Sequence, residues 1–308
     1  MSAVAIDATG SERPGVRSRR CAARGRSGVR CAHVNFARLI LPPAAPVAWR
    51  AHSVTNVAGR RLFQSQSLSV DGGHTVVVRG PSGVGKSKLL RSISCLDCFS
   101  AGTVTLNGKP PQDYGLTHWR ARVIYVSQSR VTIKGTVREH FLQVVDLGAQ
   151  KKRLAREGIA ATDLVPHLNA LLHSVGLEDR ESEDGAVASF LDRTWESLSG
   201  GEYQRAALCC ALALKPPVLL LDEPTSALDK AAALRVERVL ELSAAALVWV
   251  THDPEQEQRL ASGERAGRTC TLTVAPYCPP ALEPVDLREE AAPESAEQRV
   301  EEEGGAVG

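Results

Sequence analysis

One short stretch constrains this chain more than any other: "TVVVRGPSGVGKSKLL", Thr75 to Leu90. Its β-branched, apolar start predicts a buried strand ending near Arg79. Gly80, Pro81, Ser82, Gly83, Val84 and Gly85 predict a tight turn, and Lys86, Ser87 and Lys88 open a helical pattern. Gly-x-x-x-x-Gly-Lys-Ser between a strand and a helix is a phosphate cradle. The glycines let backbone N–H groups curl toward phosphate oxygens, and the helix N-terminus adds partial positive charge. Lys86 is placed to reach the outer phosphates of a nucleotide and the Ser87 hydroxyl to ligate Mg2+.

A second element belongs to the same chemistry. "VLLLDEPTSALD", Val218 to Asp229, opens as a buried parallel strand and ends in two carboxylates, Asp222 and Glu223. On a strand beside the cradle strand, Asp222 is expected to hold Mg2+ or its waters. Glu223 is then placed to accept a proton from attacking water, which favours hydrolysis over a binding switch.

"SLSGGEYQR", Ser197 to Arg205, has little chemistry alone, but Ser199, Gly200 and Gly201 form a backbone nest at a helix start, an anion site. Gly201 stands 21 positions before Asp222. With this spacing the chain resembles the ABC ATPase family, whose signature is Leu-Ser-Gly-Gly followed by Gln or Glu. The resemblance covers about residues 47–275. Gln128, in "VIYVSQ" and 42 positions after Lys86, matches the family's glutamine loop. Asp229, in "SALD", matches the loop that crosses between subunits. His252, in "LVWVTHD", matches the switch histidine.

The resemblance implies an α/β fold: a P-loop NTPase with a mainly parallel sheet core, an antiparallel β subdomain and a helical subdomain inserted at about 129–197. "HLNALLHSVGL", His167 to Leu177, has the helical apolar spacing for that subdomain. It also implies ATP and Mg2+, with Ser87, Gln128 and Asp222 about the metal and Glu223, His252, Gln128 and Lys86 in catalysis. The implied assembly is a head-to-tail homodimer that sandwiches ATP. In it, Lys86, Ser87, Gln128, Asp222, Glu223 and His252 of one copy face Ser199 and Gly201 of the other. Two positions depart from the pattern. Lys88 stands where Thr or Ser touches the α-phosphate. Val57 stands near the place of an adenine-stacking aromatic, with Trp49 and Phe63 the nearest aromatics.

Two uses of such an ATPase remain open. One is the energising subunit of a transporter whose integral membrane subunit is a separate chain. The other is a soluble non-transport ATPase, for example in iron–sulfur cluster assembly. "GTVTLNGKPP", "VSQSRVTIKGTVREH", "LSGGEYQRAAL", "VLLLDEPTSALD" and "LVWVTHDPEQ" resemble small stand-alone ATPases of the bacterial iron-export type and their plant relatives. This favours transport, with iron or another metal ion among the cargoes, although cargo identity lies in the membrane partner.

Composition narrows the rest. The net charge of +2 over 308 residues carries no overall nucleic-acid signature, so no nucleic-acid partner is expected. The longest apolar run, the nine residues Ala206 to Leu214, is too short to span a bilayer, so any membrane role needs a partner. Residues 1–46 are arginine-rich and acid-poor, as in an organelle transit peptide or a basic disordered tail. Residues 276–308 read as an acidic disordered tail. The expected location is peripheral, on the cytoplasmic face of a membrane, or on a plastid or mitochondrial membrane if the leader is a transit peptide. Cys209 and Cys210 are expected as buried thiols, and Cys95 and Cys98 as part of the loop after the cradle helix.

Overall fold

The computed structural model describes residues 47–53, 66–98, 101–181 and 187–275. The two expected tails, Val57 and Phe63 lie outside the described residues, as does the side chain of Trp49.

An antiparallel sheet comes first, with β1 (Val47–Ser53) between β2 (Gln66–Val70) and β4 (Ala101–Leu106). The second sheet is parallel. Its strands are β3 (Thr75–Arg79), β5 (Val123–Val126), β8 (Val218–Asp222), β9 (Ala246–Val250) and β10 (Thr269–Thr273). Their order is β10-β3-β9-β8-β5. A short hairpin of β6 (Arg180–Glu181) and β7 (Val187–Ala188) completes the described strands.

This order corrects one expectation. The strand ending in Asp222 is not beside the cradle strand. β9 lies between them, pairing Val76 with Val248 on one edge and Leu220 with Val248 on the other. β8 and β9 are both continuous aliphatic runs buried on both faces, so their composition does not say which of them lies next to β3.

The alternation of side chains along these strands builds two cores. Val77, Leu219, Leu221, Leu247 and Trp249 face one side, where they join the helices that follow β5. Val76, Val78, Leu220 and Val248 face the other, against Leu89, Leu90 and Ile93 of α1 (Lys86–Ile93) and Val104 and Leu106 of β4. Each Leu or Val buried in this way contributes roughly 1.5–3 kcal/mol. Short helices α2 (Pro111–Tyr114) and α3 (Leu116–Arg120) lead into β5.

The expected helical subdomain is α4 (Val137–Asp146), α5 (Gly148–Arg156) and α6 (Leu164–Ser174). The α6 helix begins three residues earlier than the apolar spacing of His167–Leu177 indicates, because Pro166 is tolerated in a first turn. It ends before Leu177 because Gly176 takes a positive φ of 76°. The N–H of Leu177 then returns to the carbonyl of Leu172 at 2.9 Å and that of Gly176 to His173 at 3.0 Å, a Schellman stop. From here the chain passes into α7 (Gly200–Ala213), whose Leu208 and Cys209 lie in the same core as Leu168 and Leu172. Both Cys209 and Cys210 are buried free thiols, while Cys95 and Cys98 follow α1 as free thiols.

The helices α8 (Lys230–Glu241) and α9 (Pro254–Ser262) flank β9 in sequence. Arg265, 1% exposed, anchors this end of the sheet. Its guanidinium donates to the carbonyls of His74 at 3.0 Å, Glu241 at 2.9 Å, Ala245 at 3.1 Å and Leu240 at 3.3 Å, and to that of Ser243. One buried cation therefore satisfies the end of α8 and ties it to the residue before β3.

Candidate active site

Parallel strands end on one edge of their sheet, and loops leaving that edge form the site. Across it stand, in order, the cradle after β3, His252 after β9, Asp222 and Glu223 at β8, and Gln128 after β5. The intervening strand β9 has a direct consequence. Because β8 lies between β9 and β5, Glu223 has His252 on one side and Gln128 on the other.

The contacts follow that order. The Gln128 Nε2 donates to Glu223 Oε2 at 2.7 Å. His252 Nε2 lies 3.1 Å from Glu223 Oε1. Glu223 itself has φ 48°, a left-handed conformation that costs a non-glycine residue about 1–3 kcal/mol. Its N–H donates to Val250 of β9 at 3.1 Å, and its carbonyl accepts from the Ser226 hydroxyl at 3.0 Å and the Gln204 amide at 2.9 Å. A cavity of about 380 Å3 opens beside Glu223 and His252 and gives water access to both.

The cradle has the predicted geometry. Gly80 has φ 156°, and a Cβ there would stand 2.5 Å from the carbonyl oxygen of Val274, so the end of the last strand admits only glycine. Gly85 caps α1 with φ 104°, again left-handed. Lys86 is 5% exposed, and its Nζ donates to the carbonyls of Gly80 at 2.9 Å and Pro81 at 2.8 Å. Burial pushes its pKa down, and the charges of Glu223 and Asp222 oppose that shift. The lysine thus lies within electrostatic reach of both carboxylates. Lys88 lies in the first turn of α1, with its ammonium 3.7 Å from Asp97. Arg91 holds the same carboxylate by two 3.0 Å bonds.

Asp222 is 4% exposed and accepts from the Tyr125 hydroxyl at 2.8 Å through Oδ2. Burial first, and then the Asp222 charge, pushes the Tyr125 phenol up to about 12, so it remains a donor. The donor types of Ser87, Gln128 and Asp222 are hydroxyl, amide and carboxylate oxygens, which suit a hard ion such as Mg2+. No cluster of three His, Cys, Asp or Glu side chains fit for a metal occurs among the described residues.

The nest is built as a capped helix start. Ser199 Oγ accepts from Glu202 N at 3.3 Å, and Glu202 Oε2 accepts from Ser199 N at 2.9 Å. The first helical N–H groups, those of Gly200 and Gly201, have no intrahelical acceptor. Arg193 donates to both Glu202 oxygens, at 2.7 and 3.3 Å, and holds that carboxyl down to about 2. The nest packs on the loop after Glu223, since a Cβ at Gly201 would stand 3.3 Å from Leu228 Cδ2. Asp229 does not join the cluster about Glu223. Its carboxylate accepts from Ala232 N at 2.9 Å and caps α8. Two site residues had no signal of their own in the sequence, Tyr125 and Gln204. Tyr125 sits three positions before Gln128, and Gln204 within "SGGEYQR", but neither spacing names the group each one bonds.

A sequence model of the family described as "ABC transporter" matches residues 63–226. The chain is 37% identical over 199 residues to the glutamate transport ATP-binding protein GluA of Corynebacterium glutamicum, covering 60% of this chain and 72% of that one. It is 34% identical over 218 residues to ABC transporter I family member 17 of Arabidopsis thaliana, covering 69% of this chain and 75% of the relative. A solved ATP-binding subunit of an ABC transporter superposes with a TM-score of 0.57 at 20% identity, over 75% of this chain and 89% of the other, a likeness of fold.

Proposed function

Since this chain belongs to the ABC transporter family and is one of its ATPases, we propose that it is the energising subunit of a transporter whose integral membrane subunit is a separate polypeptide. The observation that carries the mechanism is the grip of Gln128 and His252 on the two oxygens of Glu223. In this reading the phosphates of ATP lie in the turn from Gly80 to Gly85, against the N–H groups at the start of α1. Lys86 leaves the loop carbonyls for the outer phosphates, Ser82 and Val84 shape the turn, and Ser87 and Lys88 follow on the helix.

Glu223 takes the proton of the attacking water. His252 and Gln128 hold its carboxylate and orient that water. Ser87, Asp222 and Gln128 would hold Mg2+, which when bound neutralises charge on the phosphates. Tyr125 fixes one oxygen of Asp222 and thereby its rotamer. A second copy supplies Ser199, Gly200 and Gly201 to the same phosphate, so ATP joins two chains and hydrolysis releases them. Asp229 stands at the crossing between the copies.

The proposed ATPase domain is 47–275, with its helical subdomain at about 129–197 and tails on either side. No described helix is long and apolar enough to cross a membrane. In this reading the chain sits at a membrane surface through its partner. That surface is the cytoplasmic face, or an organelle membrane if the leader is a transit peptide. GluA is named for glutamate transport, and the motif wording resembles the iron-export type. A metal ion is the first cargo to test, in vesicles carrying the membrane subunit that copurifies with this chain. The mechanism is tested by Glu223→Gln, which is expected to lower ATP turnover roughly 10²–10⁴-fold while ATP still binds. Turnover near that of the wild type removes Glu223 from the role of base.

A further inference from the structure

The nest at the start of α7 and the proposed base Glu223 lie on different elements, yet one side chain joins them. Gln204 sits one turn into α7, 6% exposed. Its Nε2 donates to the carbonyl of Glu223 at 2.9 Å, and its Oε1 accepts the N–H of Ala227 at 3.2 Å. The loop from Glu223 to Ala227 is thus held at both ends by one amide. Only a group that both donates and accepts fits, because one target is a carbonyl and the other an N–H.

This loop needs holding. Glu223 is in a left-handed conformation that its own residue type disfavours, and nearby residues must over-determine it. The neighbouring residue on α7 acts on the other side of the cluster. The Tyr203 hydroxyl accepts from the N–H of Val131 at 3.0 Å and donates to its carbonyl at 3.1 Å, just beyond Gln128. At the helix start, Gly201 abuts the same loop at Ala227 and Leu228.

We propose that Gln204 is a positioning residue for hydrolysis: it locks the backbone turn that aims Glu223, and so ties the nest this chain offers to a partner copy to the base this chain uses itself. This inference rests on Glu223 being the base. It predicts a specific split. Gln204 touches no part of the cradle, so ATP affinity is preserved while turnover falls.

The test compares Gln204→Leu, which loses both bonds, with Gln204→Glu. The latter keeps an acceptor for Ala227 but sets a carboxylate against the Glu223 carbonyl. It is nearly isosteric and serves if the leucine variant does not fold. In the full-length chain, with Glu223→Gln as reference, both folded variants are expected to lose about 10–100-fold in kcat. Their equilibrium affinity for ATP should stay within about twofold of the wild type, and adding either change to Glu223→Gln should lower turnover no further. Wild-type kcat in a folded variant, or ATP affinity falling in parallel with kcat, overturns the assignment. If Glu223→Gln itself turns over normally, the base reading fails first. Normal turnover in the Gln204 variants beside an inactive Glu223→Gln sinks this inference alone.

Discussion

Glu202 places a carboxylate at the start of a helix proposed to meet a phosphate. The capping geometry favours it, since its carboxylate satisfies the N–H of Ser199. An incoming phosphate, however, meets a negative charge there unless that charge is neutralised, and Arg193 supplies the neutralisation through two bonds to Glu202. Arg193→Ala is therefore expected to raise the ATP concentration for half-maximal turnover about 3–10-fold, and Glu202→Gln on top of it to bring that concentration back. Steady-state kinetics on the two single variants and the double variant read this coupling, and additive effects would falsify it. At this scale the sequence was readable wherever a residue stands in a motif. Lys86, Ser87, Gln128, Glu223 and His252 occupy motif positions, and the structure gathers Gln128, Glu223 and His252 into one cluster. Tyr125 and Gln204 bind protein groups distant in the chain, Asp222 and the Glu223 carbonyl, so no local spacing announces them.

Elements were legible through their periodicity and their order was not. The aliphatic runs of β3, β8 and β9 and the cradle turn stand where the pattern predicts them. The placing of β9 between β3 and β8 depends on long-range pairing among three runs of the same character. Junctions between elements were equally hidden, and Arg265 is the clearest case. Its charge looks like a surface residue in the sequence, yet it is buried among carbonyls at the end of α8 and the edge of β3. Arg265→Leu leaves those carbonyls without a donor and is expected to cost about 3–5 kcal/mol of stability, measured by urea unfolding of the purified chain. A change within 1 kcal/mol of wild type would mean that water or a neighbouring donor takes over the guanidinium's role.

For the whole molecule, the question is what a single copy lacks. Its nest packs on its own loop after Glu223, and the helix-start N–H groups of Gly200 and Gly201 have no intrahelical acceptor. Sedimentation of Glu223→Gln with ATP and Mg2+ is expected to give a dimer, and the further change Ser199→Arg to return the monomer. A monomer at saturating ATP argues against a clamp formed by this chain alone. The same experiment without nucleotide provides the baseline, since ATP is the proposed link between copies.

The placing of β3 between β9 and β10 also sets an order of events on the ribosome. Thr75 pairs with Leu247 of β9 and with Thr269 of β10, so both neighbours of the cradle strand emerge long after the cradle itself. A nascent chain that has not yet reached Ala246 carries the full phosphate motif with neither flank of its strand covered. Even Gly80 meets its close neighbour only when Val274 has been added. The cradle strand therefore lacks one or both of its sheet neighbours until the chain has been made as far as Thr273, and stabilisation of the growing chain by ATP is expected only after that.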